Sequence, residues 1–512
     1  MRKNRIFSAA IAAVIAASAV SGLAGCGGTG ISERAEEMFG FGDEYYRSVE
    51  ERYSLNYDEM IYDDFTGDDI DRTKWVVSDS VWDQWGTDQN GVRPQNVFLV
   101  DDPAEPEAHL LIRANGAYYD GDSAPLSDQV NGITTGGSIS TVQALGPGRY
   151  DVMMKPCPRV GALTSMWVFS WFTQNDGSVQ QNEIDIEIGL QPDFSNVYFT
   201  TWTSPSNNSN FAIPVDYMVN DGDWHVYSFD WVTDAEVPYV DYYIDGQLVH
   251  TITTNVPTTN ATLTLGVWVP SWAGGGVTDS VYNVSPGSRM WESDYAQFSW
   301  WRYIPFQMEG WEQRPVTNRN YDADYVVEKL DKVPVVNKTA NGDFERSDES
   351  YIYPNLRDDE TAVSTIEWDT PWKDYTEKDP SSSFYVPDSS AGRIVDPDNA
   401  ENHVAQIVNG GSLGQWLRAA GTGYKFRVTG RYKTSGATAL FRYTHYLGYS
   451  TTSRSNGSAS IEIGNATEWT DFSFEFTIDK EETQSIRYYL EALNSTGTVW
   501  FDDIVMTYLG HA

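Results

Sequence analysis

Cysteine is nearly absent from this chain: 512 residues hold two, Cys26 and Cys157. That excludes a disulfide framework, and Cys157 reads as a buried structural thiol. Basic residues are also scarce, 34 against 73 acids, for a net charge of -39. Such a field repels DNA and RNA, and it disfavours highly sulfated polysaccharides. The six histidines form no metal-binding spacing with cysteine, and His225 and His250 sit in strand-like runs. No nicotinamide, flavin or phosphate-cradling loop is present. Beyond the first 25 residues no apolar run approaches transmembrane length.

Aromatic residues are plentiful, 14% of the chain with 19 Trp and 31 Tyr. Flat amphipathic rings beyond what cores need form binding surfaces. At 512 residues, two or three domains are expected. The N-terminus reads as a secretory signal, with the basic MRKNR before an apolar run. It ends in LAGC, which resembles a bacterial lipobox. Residues 1–25 are then a signal peptide, and Cys26 is the lipid-bearing first residue of a surface lipoprotein, held to the membrane only by that anchor. Residues 26–60 form an acidic spacer.

From 61 onward, short alternating runs rich in Val, Ile, Tyr, Phe, Trp and Thr are punctuated by Gly, Asn, Asp and Pro. HLLIRA (109–114), RYDVMMKP (149–156) and VYFTTWT (197–203) are examples. VDYYIDGQLVHTI (240–252) contains an IDGQ hairpin signal. Evenly spaced strands without helical periodicity predict an all-β chain. A curved β-jelly-roll sandwich is expected over 61–308 and a linker over 309–335. A second β-jelly roll is expected over 336–510, from strands such as YKFRVTGRYKT (424–434) and TVWFDDIVMTYL (498–509).

The stretch Gln181–Leu190, QNEIDIEIGL, places Glu183, Asp185 and Glu187 on one face of a strand and three isoleucines on the other. Composition alone yields roughly one or two such acid triplets in a chain this acidic, so an exposed charged strand is the plain alternative. Crowded carboxylates raise one another's pKa values, however, and a general acid needs a raised value near neutral pH. Retaining glycoside hydrolysis needs two carboxyl groups about 5–5.5 Å apart. Strand curvature can bring side chains together whose Cα atoms stand ~13 Å apart.

NEIDIEIGL, with GRYDVMMKP, WHVYSFDW, YYIDGQLVHT and LGVWVPSWAG, resembles glycoside hydrolase family 16 over about 61–308. The resemblance implies a jelly roll that hydrolyses β-glycans with retention and needs no cofactor for catalysis. It implies Glu183 as nucleophile, Asp185 as its hydrogen-bonding helper and Glu187 as acid/base. The single residue between Asp185 and Glu187 matches the unbulged motif of lichenases. Mixed-linkage β-glucan is therefore the favoured polysaccharide and β-1,3-glucan the next. An agar- or carrageenan-type galactan hydrolase, a transglycosylase and a non-catalytic glycan-binding protein remain alternatives.

Departures from the lichenase pattern include Gln181 where an aromatic is usual, Thr200 for Asn and Trp202 for Tyr. Ser299 stands near the usual aspartate ligand of a structural calcium. Trp82, Trp85, Trp167, Trp171, Trp202 and Trp272 are candidates to stack on sugar, and Asn182 and Arg93 to orient hydroxyls. The C-terminal segment, from NGDFE to VWFDDIVM, resembles carbohydrate-binding modules of families 4, 9 and 22. That implies a structural calcium at Glu345 and Asp503, and stacking from Trp368, Trp372, Trp416, Tyr443, Tyr446 and Tyr449. A monomer meeting a polysaccharide is expected.

Overall fold

The computed structural model describes residues 55–512 except 81–90, 117–118, 120–133, 190–195, 216–220, 270–290, 308–320, 346–372, 375–390, 449–453, 494–495 and a few single positions. Strands dominate, and the helical elements among the described residues are two single 3₁₀ turns, Tyr57–Glu59 and Pro94–Asn96. The first sandwich pairs a nine-stranded sheet with an eight-stranded one. The eight-stranded sheet runs Asn207–Pro214, Asn196–Ser204, Val179–Ile188, Leu163–Thr173, Thr262–Trp268, Gly137–Thr141, Trp75–Ser78 and Tyr321–Asp322. Period-2 alternation decides what lies between the layers. Ile184, Ile186 and Ile188 pack with Met166, Val168, Phe199, Leu263 and Leu265 of neighbouring strands, and with Tyr227, Phe229 and Tyr242 of the facing sheet.

The IDGQ signal makes the hairpin it announces. Strands Tyr239–Ile244 and Gln247–Ile252 meet through Asp245 and Gly246, both at positive φ, 49° and 75°. That is the left-handed pair a tight two-residue hairpin requires.

The expected linker at 309–335 belongs in part to the first sandwich. Tyr321–Asp322 pairs with Trp75–Ser78, and Glu328–Leu330 runs parallel to Val97–Val100. Val327 is buried in the first core, and the Arg72 guanidinium donates to the Tyr325 carbonyl. Sheet edges leave backbone groups open to pairing, and this charged segment closes two of them.

The second sandwich stacks two five-stranded sheets around Phe426, Phe441, Tyr488 and Phe501. It is joined to the first through residues 337–340. The Asn337 side chain bonds the backbone of Ile504 and Met506, and Gln415 bonds both the Ala340 N–H and its carbonyl. Next to Asn337, the Lys338 ammonium reaches into the first sandwich and bonds the buried Asp294 carboxylate. Arg159 Nε donates to the same carboxylate at 2.8 Å. Burial works to raise the Asp294 pKa, but the Lys338 and Arg159 charges win and hold it below the usual carboxylate range. Cys157 lies beside this cluster, fully buried as expected, and burial pushes its thiol pKa up.

Candidate active site

The strand Val179–Ile188 sits between Leu163–Thr173 and Asn196–Ser204 in unbroken antiparallel register. The acid motif is therefore unbulged, as its one-residue spacing predicts. Register also fixes each carboxylate's neighbours. Glu183 lies between Phe169 and Trp202, Asp185 between Trp167 and Thr200, and Glu187 between Ser165 and Tyr198. Directly opposed side chains on one sheet face stand about 4.5–5.5 Å apart at Cβ.

The three acids form one electrostatic unit. Asp185 is hydrogen-bonded to Glu183 and accepts a bond from the Trp202 side chain. Burial first, and then the charges of Glu183 and Glu187, push its pKa well above the usual range. Glu187 is pushed up to about 8, by burial and then by the charge of Glu183. Asp185 and Glu187 are thus both biased toward their protonated forms, and the charge of Glu183 is a cause in each case. A carboxylate able to attack and a carboxylic acid able to donate on the same face are the two groups that double displacement at an acetal carbon requires.

Other candidates divide. Trp167 is half-buried on the acid face, and Trp171, 50% exposed, stacks on Phe169 with ring centroids 6.4 Å apart. Trp202 is on the face as expected, with its indole N–H committed to Asp185. Asn182, expected to orient sugar hydroxyls, faces the other way. Its parity is that of the isoleucines, it is 0% exposed, and its amide donates to Ser170 Oγ at 3.1 Å. Arg93 is likewise buried and donates to the Val92 carbonyl at 3.1 Å. Trp82, Trp85, Trp272 and Cys26 lie outside the described residues.

Sequence reasoning missed Phe169 and Tyr198, which share the acid face by the same alternation that exposed the acids. It also missed Trp268, which packs with Tyr198 on Leu163 at the Glu187 end. Counting every second residue along the two flanking strands finds the first two.

In the second sandwich, Tyr443 points into the core rather than outward, and Trp368, Trp372 and Tyr449 lie outside the described residues. Trp416 and Tyr446 share the outer face, 4.7 Å apart, with the Arg487 guanidinium 4.3 Å above the Trp416 ring. Glu345 accepts from the His403 backbone N–H and pairs with its ring at 3.0 Å, while Asp503 pairs with Arg431 at 3.1 Å. No group of three or more His, Cys, Asp or Glu side chains suited to a metal forms among the described residues. Glu345 and Asp503 each sit against a basic side chain, His403 and Arg431.

Comparison with known proteins bears on the first sandwich. Residues 105–288 match the model described as Glycosyl hydrolases family 16. A Beta-glucanase of Bacillus subtilis (strain 168) is 32% identical over 171 residues, covering 33% of this chain and 62% of the relative. A Beta-glucanase of Paenibacillus polymyxa is 29% identical over 198 residues, covering 37% and 74%. One of Bacillus licheniformis is 33% identical over 157 residues, covering 30% and 59%. The chain thus spans 62% and 59% of the length of the two Bacillus relatives. Over residues 105–288, with the acidic strand inside them, the chain is similar to glycosyl hydrolases of family 16.

Proposed function

We propose that this protein is a retaining endo-β-glucanase, with mixed-linkage β-1,3-1,4-glucan as the favoured substrate and β-1,3-glucan the next. The observation that carries the reading is the coupled carboxyl triad on an aromatic-lined sheet face. Glu183 attacks the anomeric carbon and forms a glycosyl-enzyme ester while the glycosidic C–O bond breaks. Glu187 gives its proton to the departing oxygen. It then takes a proton from the incoming water, which displaces Glu183 and restores the anomeric configuration. Asp185 bonds Glu183 throughout and steadies its charge as it is lost and regained. The names of the similar Bacillus and Paenibacillus proteins support the choice of a β-glucan.

Reducing-end release from mixed-linkage β-glucan, β-1,3-glucan, xyloglucan and agarose tests this reading. Cleavage of a β-glucan is expected; cleavage of agarose alone would move the substrate, and binding without cleavage of any would overturn the enzyme reading. The pH profile tests the mechanism. The acid must be protonated to donate, so kcat/KM is expected to fall as pH rises through about 8, the value to which Glu187 is pushed. An alkaline limb below pH 6 would contradict that role.

The same proposal makes the chain a monomeric lipoprotein anchored through Cys26, with the second sandwich holding polymer near the cleft. Support for the module's role is the outer-face patch of Trp416, Tyr446 and Arg487, since aromatic rings take up the C–H faces of sugars. Trp416→Ala is expected to weaken retention in β-glucan affinity electrophoresis about thirtyfold, the size of a binding hot spot. Soluble-substrate turnover should be unchanged. Equal retention would exclude this patch.

A further inference from the structure

We infer that Gln181 is a positioning residue for Glu183: its side-chain amide grips one carboxylate oxygen and fixes where the attacking charge sits. The inference rests on the reading of Glu183 as nucleophile. Gln181 stands two residues before Glu183 on the same face, 8% exposed. Its Nε2 donates to Glu183 Oε2. An ionised carboxylate only accepts hydrogen bonds, so the NH₂ side of the amide must face it.

The bond completes a four-membered chain. The Trp202 side chain donates to Asp185, Asp185 is bonded to Glu183, and Gln181 donates to Glu183 from the other side. Neutral N–H donors therefore close both ends of a carboxyl pair that shares one proton. Two donors converge on Glu183, one from Asp185 and one from Gln181. Two donors on Glu183 favour its ionised form, while burial and its neighbours' charges push the Asp185 pKa up. The arrangement also fixes the plane of the Glu183 carboxylate, and attack is sensitive to such geometry. An apolar side chain at 181 offers neither effect.

The titratable groups facing Glu183 among the described residues come from its own strand, Asp185 and Glu187. The flanking strands present Phe169, Trp171 and Trp202, and Tyr198 lies opposite Glu187. Gln181, like Trp202, is a donor that neither titrates nor carries charge, and it bonds Glu183 itself.

The test compares Gln181→Leu and Gln181→Glu with the parent, each checked for folding by circular dichroism. Gln181→Leu is expected to lower kcat about tenfold with KM within about twofold, as loss of one hydrogen bond to a charged group predicts. The acid limb of its kcat/KM profile should rise by about 0.5–1 pH unit, since Glu183 loses a group that favours its ionised form. Gln181→Glu, which puts another acid beside the triad, is expected to lose more, about a hundredfold. A second readout needs no substrate: ¹³C NMR of protein labelled at glutamate Cδ, with the Glu183 resonance assigned by its loss in Glu183→Gln. Its titration midpoint should move upward in Gln181→Leu. An unmoved midpoint in a folded variant overturns the role even if activity falls through lost stability. A moved midpoint in a protein that cleaves no tested glucan upholds the role of Gln181 while the activity reading fails.

Discussion

Replacing Glu183 with glutamine is expected to lower reducing-end release by roughly four orders of magnitude or more, the scale at which removal of a covalent nucleophile registers. The amide preserves size and the strand's packing, but it has no anionic oxygen to form the glycosyl ester. A second consequence follows from the coupling. The charge of Glu183 is one of the two causes that push Glu187 up to about 8. With that charge gone, the Glu187 pKa should fall, and ¹³C titration of the variant would show it. Glu187→Gln should behave differently. It removes the proton donor, so polymer cleavage collapses. An aryl glucoside whose leaving group departs without protonation should still give a burst of phenolate as the ester forms. A burst in Glu187→Gln and none in Glu183→Gln assigns the two roles. Polymer cleavage by Glu183→Gln above about one per cent of the parent rate would remove Glu183 from the mechanism.

The largest stability effect is expected far from the cleft, at Asp294. Its carboxylate is 5% exposed and bonded by Arg159 and Lys338, whose side chains are 7% and 8% exposed. Asp294→Asn leaves two cations buried without their anion, and breaking a buried pair in this way costs about 3–5 kcal/mol. Urea denaturation should show the loss as a lower midpoint. Lys338→Met should cost less, because Arg159 still holds the carboxylate. The pH dependence has a definite sign. The folded pKa of Asp294 is depressed below its unfolded value. Its contribution is therefore present above the unfolded value, near 3.9, and is lost as pH falls through the folded one. The parent should be stabilised by raising pH from 3 to 5 more than Asp294→Asn is. An Asp294→Asn protein as stable as the parent at pH 7 would mean the cations find other partners.

Alternation carried most of what could be read beforehand. The isoleucines enter the core and the acids face outward because a strand offers two faces, and the unbulged register follows from the spacing. The same rule corrects Asn182, which has the parity of the isoleucines, and recovers Phe169 and Tyr198. Other features had no local signal. Tyr321–Asp322 and Glu328–Leu330 are too short to display alternation, so a charged segment that closes sheet edges resembles a tether. Arg159, Asp294 and Lys338 are isolated charges far apart in the chain, and only the fold brings them together. The bond from Gln181 depends on a side-chain rotamer, which sequence does not set.

The junction between the sandwiches also bears on how such a chain can be reshuffled over evolutionary time. A recombination event that cut between 309 and 327 would leave the incoming first half without the strand that pairs with Val97–Val100. It would also separate Lys338 from Asp294. A new partner would have to bring both a matching edge strand and a lysine at the right depth. Crossovers that keep these pairings must fall before Trp75 or after Lys338, so residues 321–338 are transmitted to descendants with the first sandwich.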